Sequence, residues 1–135
     1  MPWDQELQPV LRVLVATILG ALVGWQRERM HREAGIRTFA AVALGACVFA
    51  LIAPGDTRIA AQIVTGIGFI GAGVIMRGRE HVHGLTTAAA LWATASVGTA
   101  VAYGRLILGA VVAILLLILL AVPTKKWENE TQRRH

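Results

Sequence analysis

The chain is poor in the residues that carry most soluble chemistry. It has one cysteine, Cys47, among 135 residues, which excludes an intrachain disulfide and leaves the redox compartment unmarked. Cys47 falls inside an apolar run, where it reads as a small packing residue. Acidic residues number eight, and charged residues of both signs make up only 16% of the chain. No nucleophile stands in a pattern with a base, and neither a phosphate-cradling loop nor a spaced set of zinc ligands occurs. His81 and His83 flank Val82 after Glu80, but two imidazoles on a polar loop do not define a metal site. The glycine-rich GIGFIGAG lies within an apolar stretch, which weakens a nucleotide reading. Enzymatic activity, a cofactor and a resident metal are therefore not expected. A cleavable leader is not expected either, because the opening MPWDQELQP places Asp4 and Glu6 where a basic segment would be needed.

What the chain has in abundance is apolar side chain, at 56%. A composition of this kind points to lipid as the solvent. The charges gather around Arg27 to Arg37, Arg77 to His83 and Lys125 to His135, with apolar runs between them. A net charge of +5 raises the question of nucleic acid. The basic residues, however, sit at the ends of apolar stretches rather than along a soluble helix or among stacking aromatics, so nucleic-acid binding is not expected.

A spanning helix needs about 17 to 25 mostly apolar residues. Five segments qualify: Pro9 to Trp25, Ile36 to Ala53, Ile59 to Met76, Thr86 to Ala102 and Arg105 to Val122. Pro9 suits a first helical turn, while Pro54-Gly55 and Pro123 are stop signals. The expected fold is all-α, a polytopic helical membrane protein of about five transmembrane helices. Residues 1–122 would form the membrane domain and residues 123–135 a short polar cytoplasmic tail. A soluble core of this length would need more polar helix faces than the sequence supplies.

Orientation follows from the basic residues. One side collects Arg27, Arg29, Arg32, Arg37, Arg77, Arg79, Lys125, Lys126, Arg133 and Arg134, and the other has Arg12, Arg58 and Arg105. Ten against three places the N-terminus outside and the C-terminus in the cytoplasm. An odd number of spans requires opposite ends, so helix count and charge bias agree.

In lipid, helices associate by close packing of small residues and by interhelical hydrogen bonds. Ala16, Gly20 and Gly24 stand at four-residue spacing on the first segment; Ala61, Thr65, Gly68 and Ala72 line the third; Thr87, Ala90, Thr94 and Gly98 line the fourth. Segments 1, 3 and 4 are thus expected to form the bundle interior, with the leucine-rich fifth facing lipid or a subunit interface. On the third, Arg58, Gln62, Gly66, Phe69 and Gly73 share a face, and Asp56 just before it can pair with Arg58. Between segments 1 and 2, RERMHREAGIRT sets Glu28 four residues from Arg32 and Arg29 four from Glu33, so a helical extension would be laced by ion pairs. Arg37 would either snorkel to headgroups or be held against Glu28.

These residues carry a resemblance. The strings GALVGWQRERMHREAGIRTFAAVALGA, DTRIAAQIVTGIGFIGAGVIMRG and GLTTAAALWATASVG resemble the membrane domain of the MgtC/SapB family, from Leu11 to Gly104. The resemblance implies a multi-pass protein of the bacterial inner membrane with roles in adaptation to magnesium limitation and, in some members, virulence through survival inside host macrophages. It also implies modulation of other membrane machines, notably ATP synthase. Carried over by position, the family's polar motif falls at Arg27, Glu28, Arg37, Thr38, Asp56, Arg58, Gln62, Arg77, Thr86 and Thr87, with Gly20, Gly24, Gly66, Gly68 and Gly73 as helix-packing glycines. Where longer relatives carry a soluble C-terminal domain, this sequence ends in KKWENETQRRH.

Three functions compete at this level. The first is a regulator or accessory factor that docks to itself, with a two-fold homodimer as the default, or to a larger membrane complex. The second is an oligomeric transporter or channel subunit for Mg²⁺ or another cation, with Asp56, Arg58, Gln62 and Glu28 on a polar path. Magnesium prefers several oxygen ligands, and Glu28 and Asp56 fall at opposite faces. The third is an anion or phospholipid headgroup site among the cytoplasmic arginines.

Overall fold

A computed structural model of the chain describes residues 2–77 and 82–123. It contains five helices: α1 (Pro2–Arg29), α2 (Ile36–Ile52), α3 (Thr57–Val74), α4 (Leu85–Ala102) and α5 (Leu106–Ala121). A small antiparallel hairpin of β1 (Met76–Arg77) and β2 (Val82–His83) separates α3 from α4, with Met76 opposite His83 and Arg77 opposite Val82. Glu80, His81, Arg79 and the tail beyond Pro123 lie outside the described residues.

Three helices are long and apolar enough to cross a membrane: Trp3–Arg29, Thr57–Val74 and Leu85–Ala102. The other two, Ile36–Ile52 and Leu106–Ala121, are shorter apolar helices. At a 1.5 Å rise, the 17 residues of α2 reach about 26 Å, slightly less than a hydrocarbon core of about 30 Å. The helix starting at Pro2 corrects the expected start at Pro9, which now lies inside α1. Pro9 lacks an N–H, so it cannot donate the helical bond to the carbonyl four residues before it.

The helices run up and down. Gly20 and Gly24 of α1 meet Phe39, Ala43 and Gly35 at the other chain direction of α2. Arg12 reaches the Ala102 carbonyl while Arg27 reaches Thr87, so α1 and α4 are antiparallel. The hairpin end of the bundle therefore gathers the C-termini of α1, α3 and α5 with the N-termini of α2 and α4.

The core sits around α4, which packs against every other helix. Thr87, Ala90, Leu91, Thr94, Val97 and Gly98 are all buried on it. Its alanines, threonines and glycine are what allow four neighbours to approach one helix. This corrects the expected interior of segments 1, 3 and 4: α2 buries Phe39, Ala43, Ala46, Cys47 and Ala50, whereas α3 buries only Ile67 and Gly71. The spacing of small residues on α3 defines a face but does not say what the face meets. Apolar side chains elsewhere point outward, among them Phe69 at 85% and Ile107 at 82% exposure, as expected of helices whose surroundings are not water.

Candidate functional site

The polar residues separate into three places. The first is a buried node at the hairpin end. Arg27, in the last turn of α1, is 2% exposed, and its Nη2 donates to Thr87 Oγ1 at 2.7 Å. Thr87, in the first turn of α4 and fully buried, donates in turn to Glu33 Oε2 at 2.7 Å. A threonine hydroxyl has one proton to give and lone pairs to receive, so it is oriented between guanidinium and carboxylate and bridges them. The Thr87 hydroxyl, with Glu33's own backbone N–H, holds the Glu33 carboxyl below its ordinary range, assisted by the charges of Arg27 and Arg32 and opposed by burial.

Local chain geometry places Glu33 there. Helix α1 ends at Arg29, and His31 adopts a positive φ of 53°. The expected helical extension is thereby corrected: the pairs Glu28 with Arg32 and Arg29 with Glu33 do not form, because the backbone that would align them has left the helix. Arg29 instead lies over the Trp25 ring at 4.8 Å. Glu28 Oε2 accepts from the backbone N–H of Ile36 at 3.1 Å, closing the start of α2 rather than holding Arg37, which is exposed. A cavity of about 150 Å³ adjoins the node, lined by Arg27, Arg32, Glu33, Gly84, Thr86 and Thr87 among others. Gly84 has φ 84°, and a Cβ there would collide with the Val74 carbonyl, so the hairpin packs onto α3 only with glycine at this turn.

The second place is the opposite end. Asp56 caps α3, with Oδ1 accepting from Arg58 N at 2.9 Å and from Arg58 Nε at 3.3 Å. These bonds, the side-chain one first, hold the Asp56 carboxyl below its usual range. The Arg58 side chain is 89% exposed, and an exposed pair of this kind contributes little to stability. Changing Asp56 to asparagine, which keeps the cap, is expected to lower the thermal midpoint in detergent only slightly. Changing it to alanine is expected to lower that midpoint, as a thermal melt would read.

The third place is an apolar groove of about 590 Å³ between α2 and α3, with Thr38 and Gln62 as its polar residues and Gly45, Phe49, Gly66 and Ile67 along its walls. Gln62 lines this groove. Arg77 belongs to β1, and its side chain lies outside the described residues.

The expected motif thus comes together only in part: Arg27, Thr86 and Thr87 meet at the node or its cavity, Glu28 bonds the start of α2, Arg37 and Thr38 lie in the first turn of α2, and Asp56 and Arg58 stand at the far end. The glycines divide as well. A Cβ on Gly20 would lie 2.6 Å from Phe39 O, and one on Gly24 would lie 2.6 Å from Ile36 Cα, so both are close-approach points. At Gly66, Gly68 and Gly73 an added Cβ meets nothing within 4 Å. Sequence reasoning missed the role of Glu33 and Arg32 at the node, and of Gln26, whose Nε2 donates to Leu117 O at 3.1 Å. Gly35, two residues after Glu33, is a helix breaker that would have argued for an early end to the helical extension.

The MgtC family model matches residues 13–128. This chain belongs to the MgtC family. Protein MgtC of Salmonella typhimurium is 52% identical over 103 residues, covering 71% of this chain and 44% of that protein. Protein MgtC of Brucella abortus is 46% identical over 104 residues, covering 73% and 44%. The chain thus spans less than half the length of these curated relatives. No solved structure matches it. Within the family match lie the whole Arg27–Thr87–Glu33 node, the α2–α3 groove and the Asp56 cap, so each is a feature of the MgtC-like part of the chain.

Proposed function

We propose that this MgtC-family chain is a multi-pass protein of the bacterial inner membrane that acts as a regulator or accessory factor in adaptation to low magnesium or intracellular survival. It works by docking its helices against a second copy or against a larger membrane complex such as ATP synthase. The observation that carries this reading is the outward face of α3. Gly66 and Gly73 front open space beside Phe69, which is 85% exposed, while Gly68 fronts open space on the opposite side of the helix, and only Ile67 and Gly71 of α3 are buried. A small-residue face lets another helix approach closely, the main source of helix association in lipid. The inner-membrane orientation rests on the ten-to-three division of basic residues, with the C-terminus in the cytoplasm. Single cysteines at Trp3 and at Arg32, in a Cys47→Ala background, should react with an impermeant maleimide from the periplasmic and the cytoplasmic side respectively; the reverse pattern overturns the orientation.

The transport alternative draws less support. Glu28 is engaged at the start of α2 and Asp56 at the start of α3, at opposite ends of the bundle. Among the described residues no group of three His, Cys, Asp or Glu comes together, and Mg²⁺ sites use several oxygens. Flux of Mg²⁺, K⁺ and H⁺ in proteoliposomes is expected to be absent, both for the intact chain and for an Asp56→Asn, Arg58→Gln variant. Flux that the intact chain supports and the folded variant loses would overturn the regulator reading in favour of transport.

A further inference from the structure

The node at the hairpin end has one feature that helix packing leaves unused. Arg27 is 2% exposed, its Nη2 is engaged with Thr87, and its Nε is buried with no hydrogen-bond partner. A buried guanidinium N–H without an acceptor is costly. The same arginine lines the cavity of about 150 Å³ together with Arg32, Thr86, Thr87 and Gly84. That cavity also receives the N-terminus of α4, an 18-residue helix whose N-cap, Gly84, supplies no side-chain hydrogen bond. Intrahelical bonding begins with Ala88 N donating to Gly84 O. The N–H groups that a helix start leaves without intrahelical partners therefore belong to Leu85, Thr86 and Thr87, and all three residues line the cavity.

We propose that this cavity is an oxyanion site that takes a phosphate group, either as inorganic phosphate or as the headgroup of an anionic phospholipid. The two arginines outweigh Glu33, which is turned to the Thr87 hydroxyl, so the site retains positive charge. The positive end of the α4 dipole adds to it. A tetrahedral oxyanion offers oxygens in several directions, to a guanidinium edge and to helix-start N–H groups at once. Volume agrees: at about 30 Å³ per water, the cavity has room for a group the size of a few waters. The depth also suits a headgroup. Trp25, half-exposed in the last turns of α1 with Arg29 stacked over its ring, is the residue type that marks a membrane interface. This site is independent of the docking face on α3, and either reading can fail without the other.

The test uses the full chain in nanodiscs. In discs of phosphatidylcholine alone, isothermal titration with inorganic phosphate is expected to show saturable binding. Changing the exposed Arg32 to glutamine is expected to weaken it by about tenfold, the equivalent of one charge-assisted hydrogen bond. Arg27→Gln should abolish it, and Arg32→Gln keeps the test valid if the buried change prevents folding. In discs containing phosphatidylglycerol, native mass spectrometry reads retained lipid. Retention of phosphatidylglycerol that Arg32→Gln reduces, without titratable inorganic phosphate, identifies the headgroup as the source and supports the site. The proposal is overturned if neither phosphate nor Arg32-dependent phosphatidylglycerol is bound, or if binding is undiminished in Arg32→Gln.

Discussion

Replacing Thr87 by valine is expected to cost the folded protein about 2–4 kcal/mol, the price of leaving a buried guanidinium without its acceptor. Valine matches threonine in shape, so packing against α1 is kept and only the hydroxyl is lost. That hydroxyl receives from Arg27 Nη2 and gives to Glu33, each at 2.7 Å. Arg27 already has a buried Nε without a partner, and at 2% exposure the guanidinium has little solvent to replace the lost acceptor. Thr87→Ser, which retains the hydroxyl, should recover most of the loss. Reversible unfolding in mixed detergent micelles measures both; equal stability of valine and serine variants would show that the bond contributes nothing.

The same bond gives the pH dependence its sign. The folded Glu33 carboxyl titrates lower than an unfolded one, chiefly because the Thr87 hydroxyl donates to it. Its contribution is complete above the unfolded value and is lost as pH falls through the lower, folded one. Stability of the wild-type chain should therefore decline as pH falls below about 4.5, the ordinary glutamate value. Thr87→Val should show a shallower decline over that range, since its Glu33 has lost the largest cause of the shift. Asp56 is also held low and titrates in the same window, so the comparison has to be between the two variants rather than with a flat baseline.

Much of this fold can be read in the sequence, for a physical reason: apolar runs bounded by charge or proline admit few solutions in lipid. The five segments became five helices with ends shifted by a few residues, α1 excepted. Neighbour relations were not legible. Periodicity places Gly66, Gly68 and Gly73 on α3 as readily as Gly20 and Gly24 on α1, and only coordinates show that the second pair touches backbone while the first three front open space. The centrality of α4 was hidden as well. Its run of alanine and threonine is a weak hydropathy signal, yet small side chains are what a helix with four neighbours requires. At the site, Arg27 and Thr87 were both named without any indication that they touch, because a contact across 60 residues leaves no local pattern. Glu33 was assigned to a helical pair that the turn at His31 removes.

Gly98→Val is expected to be among the most damaging single changes in the chain, at or beyond the upper end of the ~1–3 kcal/mol that overpacking a tight core costs. A Cβ on Gly98 would run into the Ala43 carbonyl oxygen and lie 3.1 Å from Ala43 Cα. Both are backbone atoms, so no rotamer change can make room, and α2 would have to move off α4. It has nowhere to go, because Ala43 is fully buried and its own Cβ faces Gly20 of α1, where an added Cβ would sit 2.7 Å away. Ala43 is thus gripped between two glycines on two helices, and valine at either one should unfold the three-helix contact. Gly66→Val makes the matched control, since that position fronts nothing within 4 Å and valine has the better helix propensity. Its protomer should unfold no earlier than the wild type. If the α3 face receives another helix, the same change should instead weaken that association, seen as lost cross-linking in native membranes with monomer stability intact. A Gly66→Val chain that cross-links as well as the wild type would remove α3 from the docking reading, while a Gly98→Val chain as stable as the wild type would show that α2 and α4 are not packed at this point.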